Sequence, residues 1–364
     1  MTDKKLQSYT ELSEISPFDE GLYTQIQKNW DSVAKPLNSL GKFEDMIARI
    51  GAVLGTTDVD IKKRAVIMMC ADNGIVEEGI SQSGQDVTAA VAEWMGRNES
   101  SVCKMAKVTG TDTIPVDIGI NMEGSPEGVL SRKVRKGTAN FLKEPAMTEE
   151  EFQQALTTGI EVVHECKEEG YRILATGEMG IGNTTTSAAV CAALMNLPVI
   201  DVTGRGAGIS SSGLLKKIEV IDKAMELYDM RNRYDKSREF TEYVLRSVGG
   251  LDIAGLTGVF LGGAIYHVPI VIDGFISLVS ALAAERILPG TREVMLASHK
   301  GKEQGMRPIF EELDLDPSID GNLALGEGTG AVMLFPLLEM ALSLYSDGLS
   351  FEETTVEQYE HFSE

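Results

Sequence analysis

Two glutamates stand among glycines in this chain. Glu178 lies in Gly177-Glu178-Met179-Gly180-Ile181-Gly182-Asn183-Thr184-Thr185, and Glu327 in Leu325-Gly326-Glu327-Gly328-Thr329-Gly330. Glycine allows backbone angles closed to other residues and lets a ligand approach the main chain. A carboxylate held in such a stretch is suited to serve as a base at the floor of a pocket; the competing reading is a tight turn carrying a solvated Glu. A third glycine stretch, Gly204-Arg205-Gly206-Ala207-Gly208, precedes a helical pattern over 212–228 that carries Lys216 and Lys217. Glycine loops ahead of helices present unpaired N–H groups and the positive end of the helix dipole, which together bind phosphate. Neither the P-loop pattern nor the dinucleotide fingerprint is met.

Aspartates follow apolar runs at Asp72, Asp117 and Asp273. No nucleophilic Ser or Cys motif is visible. Cys70, Cys103, Cys166 and Cys191 are widely spaced without C-x-x-C, and the four histidines have no metal-ligand spacing. The cysteines read as reduced, mostly buried thiols, and no metal site is expected. This set suits a phosphorylated small substrate and a reaction that needs a general base. Transfer at a ribosyl anomeric carbon fits: carboxylates stabilise an oxocarbenium-like transition state, and one of them can accept the proton of the incoming nucleophile. The adjacent acids of diphosphate-dependent phosphoribosyl transfer are not evident, which favours a mononucleotide donor.

These residues need elements to position them. Continuous apolar runs at 65–70, 113–119, 172–176, 271–275 and 294–299 read as strands, several of them buried on both faces. Helical patterns lie between them at 87–105, 149–169, 187–195, 212–228, 277–286 and 304–313, and again at 335–345. This alternation predicts an α/β fold, a Rossmann-like parallel sheet with helices on both faces. In such folds ligands bind outside the carboxyl ends of the strands, where the Gly, Asp and Glu stretches fall. Residues 18–54 predict a helical hairpin broken at Lys35-Pro36, after a short arm over 1–15. The expected division is a large catalytic domain over 60–335 and a small helical domain from 1–59 and 336–364.

Lys and Arg number 33 against 55 Asp and Glu, a net charge of −22. That balance opposes bulk electrostatic binding to nucleic acid or anionic membranes. The basic residues Arg132, Lys133, Arg135 and Lys136 read as a solvated surface stretch. Residues 253–272 contain no Asp, Glu, Lys or Arg, and Gly258 and Gly262 form a small-xxx-small pair. A membrane span is one reading; His267, Pro269 and the continuation into Asp273-Gly274 favour a buried glycine-rich helix, a turn and a core strand. The polar, acidic first twenty residues contain no secretory signal pattern, so a cytoplasmic protein is expected.

The ordered motifs at 177–185 and 204–208, together with Asp273-Gly274-Phe275-Ile276, Ala297-Ser298-His299 and 325–331, closely resemble the nicotinate-nucleotide–dimethylbenzimidazole phosphoribosyltransferase family. Lys35-Pro36, Ser39-Leu40-Gly41 and Ala71-Asp72-Asn73-Gly74 resemble it more loosely. The likeness spans about residues 25–345 and implies transfer of the phosphoribosyl group of nicotinate mononucleotide to a benzimidazole base, with inversion from a β to an α linkage. The product is an α-ribosyl phosphate for the lower ligand of cobamides. Glu327 is then the base that accepts the benzimidazole proton, and Glu178 supports catalysis near the ribose. The resemblance assigns the nucleotide and its phosphate to Gly177, Gly180, Gly182, Asn183, Thr184, Gly204, Arg205, Gly206, Gly208 and Ser298. It assigns the base pocket to Ala90, Leu325 and Met306. A homodimer without metal or redox cofactor is implied. Asn73, Ala90 and Met306 depart from the usual family residues, which leaves adenine, a substituted benzimidazole or a phenolic base as acceptors. A noncatalytic nucleotide sensor is the alternative reading.

Overall fold

Arg64–Ala71 is buried at every position, as a strand must be when helices cover both faces of its sheet. The computed structural model describes residues 11–361, so most of the arm expected over 1–15 lies outside the described residues. The strands in chain order are β1 (Arg64–Ala71), β2 (Asp112–Gly119), β3 (Leu130–Ser131), β4 (Ile173–Met179), β5 (Ile270–Ile272), β6 (Met295–Ala297), β7 (His299–Gly301) and β8 (Ile319–Leu323). Six of them form one sheet in the order β3-β2-β1-β4-β5-β6, and β7 and β8 form a second pair. All the strand pairings are parallel.

The helices are α1 (Glu20–Ser32), α2 (Lys42–Leu54), α3 (Asp86–Gly96), α4 (Ser101–Thr109), α5 (Glu149–Glu168), α6 (Asn183–Met195), α7 (Val199–Val202), α8 (Ser211–Leu227), α9 (Arg238–Val248), α10 (Leu251–Tyr266), α11 (Phe275–Ile287), α12 (Met306–Leu313) and α13 (Thr329–Asp347). Alternate residues of β1 separate two cores. Ala65, Ile67 and Met69 join Phe152, Leu156, Leu256 and Phe260 on one face. Val66, Met68 and Cys70 join Trp30, Ile47, Phe335 and Leu338 on the other. The helices of both chain ends therefore pack together and onto one face of the sheet. That alternation is the period of two inherent in a strand.

From β1 the chain proceeds outward to β2 and β3, then returns to β4 and proceeds the other way to β5 and β6. The reversal falls between β1 and β4, the place where open parallel sheets form their ligand crevice.

The uncharged run at 253–272 becomes α10, a turn and β5. Of the sixteen residues of α10, all but the last two are buried. It lies so close to α5 that a Cβ at Gly258 would stand 2.1 Å from the carbonyl oxygen of Leu156. Those glycines serve helix contact inside the core. Among the described residues one helix, α13, is long and apolar enough to cross a bilayer, and half of that stretch is buried in the fold. The four cysteines are unpaired and buried. The basic residues at 132–136 are each neutralised: Arg132 by Glu165, Lys133 by Asp117, Arg135 by Glu151 and Lys136 by Glu123.

Several expected boundaries move. The strand expected to end at 176 continues to Met179, so Glu178 belongs to a strand end and not to a loop. The following helix starts at Asn183, four residues earlier than expected, after Gly182 turns the chain with φ +98°. The strand expected over 294–299 divides at Ser298 into β6 and β7. The helical stretch 87–105 is two helices, and the helix expected from 335 starts at 329.

Candidate functional site

Glu178 reaches the end of β4 with its side chain buried and 9% exposed. Asn183, the first residue of α6, donates Nδ2 to Glu178 Oε2 and, at 3.1 Å, to Oδ2 of Asp252 at the head of α10. Burial pushes the Glu178 carboxyl up to about 8, reinforced by the negative charge of Asp252 and opposed by the Asn183 amide. Burial likewise pushes Asp252 up to about 7. A carboxylate removed from water with no cation beside it takes up a proton instead.

Glu327 arrives from another part of the chain. Gly326, Glu327 and Gly328 have φ of +85°, +61° and +96°. A glutamate in the left-handed region is strained, a cost tolerated where the surroundings enforce it. Asp273, just beyond β5, provides that enforcement. Its buried carboxylate accepts the N–H groups of Gly328, Gly330 and Ala331 at 3.1, 2.8 and 3.1 Å, satisfying donors left over at the start of α13. Burial raises Asp273, against the pull of His299 and those three donors.

The two glutamate stretches interlock. A Cβ added to Gly177 would lie 2.4 Å from the carbonyl oxygen of Glu327, and one added to Gly326 would lie 2.8 Å from Glu178 Oε1. The half-buried Glu327 carboxylate accepts the N–H of Val102 at 3.2 Å in the first turn of α4. A helix N-terminus favours a negative partner.

The glycine stretch at 204–208 adjoins the start of α6. A Cβ at Gly206 would stand 2.7 Å from Thr184 Oγ1. Lys217 of α8 donates to that same oxygen at 2.9 Å and to the carbonyl of Gly204 at 3.3 Å. Lys217 is buried, and burial pulls its ammonium down to about 8. A buried cation between two glycine loops is a local signal for an anion. Arg205 is exposed and turns back on its own loop, onto Ile209 O at 2.9 Å and Ser211 Oγ at 3.0 Å.

The other expected residues divide. Gly177, Gly180, Gly182, Asn183 and Thr184 gather around the end of β4; Gly206 comes against Thr184, Gly204 joins them through Lys217, and Gly208 meets the Gln82 side chain instead. Ser298 is buried, donating to Ile272 O at 2.6 Å and lying 2.9 Å from His299 Nδ1. Ala90 is half-buried on α3, Leu325 is 56% exposed, and Met306 is fully buried in the core. Asp72 lies near Asp252, whereas Asp117 accepts from Ser125 Oγ at 2.6 Å and pairs with Lys133 at 3.1 Å. Asp252 was missed by sequence reasoning. The available signal was a lone acid directly ahead of twenty uncharged residues. Among the described residues no three His, Cys, Asp or Glu side chains group to hold a metal ion.

Residues 15–356 match the family model described as Phosphoribosyltransferase. The chain is 42% identical over 346 residues to a nicotinate-nucleotide–dimethylbenzimidazole phosphoribosyltransferase of Clostridium perfringens, covering 95% of this chain and 94% of that one. It is 43% identical over 335 residues to the protein of the same name from Acetivibrio thermocellus, covering 92% and 94%. The crystal structure of CobT from Thermus thermophilus superposes with a TM-score of 0.85 at 35% identity, over 93% of this chain and all of that one. The chain belongs to the nicotinate-nucleotide–dimethylbenzimidazole phosphoribosyltransferase family.

Proposed function

We propose that this protein transfers the 5-phosphoribosyl group of nicotinate mononucleotide to a benzimidazole-type base, releasing nicotinate and forming an α-ribosyl phosphate for the cobamide lower ligand. The observation that carries the reading is the interlock of the two glutamate stretches, with Gly326 against Glu178 Oε1 and Gly177 against the Glu327 carbonyl. The family relationship supports it.

The phosphate is held by the N–H groups at the start of α6 and by Lys217, with the 204–208 loop closing over it. The ribose lies by Glu178. Asp252 and Asp273 supply the negative charge near which the nucleotide's pyridinium and the oxocarbenium-like transition state develop positive charge, with the protonated Glu178 carboxyl beside them as a hydrogen-bond donor. The C1′–N bond to nicotinate breaks and its electron pair returns to the pyridine nitrogen. A ring nitrogen of the acceptor attacks C1′ from the opposite face, and the proton on its other nitrogen passes to Glu327. Ala90, Leu325 and Met306 belong to the acceptor side in this reading.

The reading includes a soluble cytoplasmic homodimer, with a catalytic unit over 60–335 and a small helical unit from the chain ends. Leu325, exposed beside the site loop, is an apolar surface that a second subunit would cover. The test is incubation with nicotinate mononucleotide and a panel of benzimidazoles, adenine and phenols, with nicotinate followed by chromatography. Release that depends on the base is expected. Binding of the nucleotide without release under any base overturns the transferase reading in favour of a sensor.

A further inference from the structure

Asp252 is fully buried at the head of α10. A buried carboxyl group needs donors aimed at it. Its Oδ1 accepts the N–H of Ile253 at 3.0 Å, and its Oδ2 accepts Asn183 Nδ2 at 3.1 Å. The same Nδ2 donates to Glu178 Oε2. An amide nitrogen carries two hydrogens, and Asn183 commits one to each carboxyl group. The enclosure is tight. A Cβ at Gly180 would stand 2.7 Å from Asp252 Oδ2, and one at Gly250 would stand 2.3 Å from Oδ1. One amide thus ties the head of α10 to the end of β4.

We infer that Asp252 is a positioning residue for the transfer reaction, fixing the plane and aim of the Glu178 carboxyl through the shared amide of Asn183. The inference rests on the proposed transfer for its reaction, while the geometry stands by itself. It has an electrostatic consequence. The charged groups facing the pair are Asp72 beyond β1, Asp273 beyond β5 and Glu327 ahead of α13. The Cys70 thiol lies near both on β1, Asp117 and Lys133 act on Asp72, and His299 acts on Asp273. A second buried negative group therefore favours the neutral form of Glu178. Its Oε2 is occupied by Asn183, so Oε1, the oxygen facing Gly326, is free to carry the proton and to donate to a substrate oxygen.

The test compares Asp252→Asn, which keeps the shape and one of the two accepting oxygens but loses the charge, with Asp252→Ala, which loses both acceptors. Infrared titration of the protonated-carboxyl C=O band, assigned by its loss in Glu178→Gln, reads Glu178 without needing turnover. The band should titrate about one pH unit lower in Asp252→Asn. In Asp252→Ala, kcat for nicotinate release should fall about tenfold or more with KM for the nucleotide within about threefold, and Asp252→Asn should recover most of the rate at about pH 6. An unmoved Glu178 band in Asp252→Asn, or a kcat in Asp252→Ala within about twofold of the parent, overturns the inference. Should Asp252→Ala not fold, the Asp252→Asn titration decides. If the parent protein releases no nicotinate, the transferase reading fails, and the infrared titration alone decides whether Asp252 governs Glu178.

Discussion

Glu178 and Glu327 are the same residue type in similar glycine-rich sequence, and the fold gives them different surroundings. Glu178 closes a central strand, buried, with a side-chain amide as donor and carboxyl groups as its charged neighbours. Glu327 sits in a strained loop, half-buried, against the N–H of a helix start. The difference teaches that role follows environment. A carboxyl group without cations in a dry setting holds a proton, whereas one at a helix N-terminus meets a backbone donor; in the proposed transfer the first donates and the second accepts. One fold can supply both partners of a proton inventory from a single side-chain type.

The largest expected effect tests the accepting partner. Glu327→Gln keeps size and the Val102 contact but cannot take the acceptor's proton. Turnover should fall by about 10²–10⁴-fold, with nicotinate mononucleotide still bound in calorimetry. Unchanged turnover removes Glu327 from the base role. The next effect tests the interlock. Gly177→Ala places a methyl group 2.4 Å from the Glu327 carbonyl oxygen, so the two main chains must separate. A displacement of about 1 Å at a reacting group costs about 10²-fold in rate. A Gly177→Ala protein with parental kcat would show that the two stretches act independently.

Much of this was legible in the sequence because local chemistry carried it. Unbroken apolar runs ending in Asp72-Asn73-Gly74 and in Asp273-Gly274 marked β1 and β5, and glycine stretches ahead of helices marked the candidate site. The sequence did not disclose that Glu178 belongs to a strand, because Thr176-Gly177 resembles a strand exit, whereas pairing with β1 through Met69 and Cys70 extends the ladder to Met179. Asp252 and Asp273 gain their partners through contacts 69 and 55 or more residues apart in the chain, and periodicity carries no such information. Asp117 shows the converse. A strand-end aspartate looked like a site residue, and Lys133, sixteen positions on, turned it into a buried ion pair.

The donating partner is tested by pH. Glu178 has an ordinary value of 4.5 and is pushed up to about 8 in the fold. Between those values the folded protein holds a proton that the unfolded chain has released. The stability from this group is complete at low pH and declines as pH rises through the window, by about 1.4 kcal/mol per pH unit. Glu178→Gln should match the parent near the lower end and exceed it in melting temperature near the upper end. Parallel melting curves across the window would place the buried proton elsewhere.

The smallest effect separates two uses of glycine in the paired loops. Gly177 owes its identity to close approach, whereas Gly208 has φ +101° and nothing within 4 Å of an added Cβ. Gly208→Ala therefore costs only backbone strain, about 1–3 kcal/mol. The 204–208 loop is largely exposed and linked to the rest by Gln82 onto Gly208 O at 2.8 Å, so it can relax locally. Melting temperature should drop slightly, kcat should hold, and KM for the nucleotide should rise about threefold, because in the proposed transfer the loop closes on the phosphate and not on the reacting carbon. A fall in kcat as large as that of Gly177→Ala would mean that the 204–208 loop shapes the reacting geometry, and the division between a binding loop and a catalytic interlock would have to be redrawn.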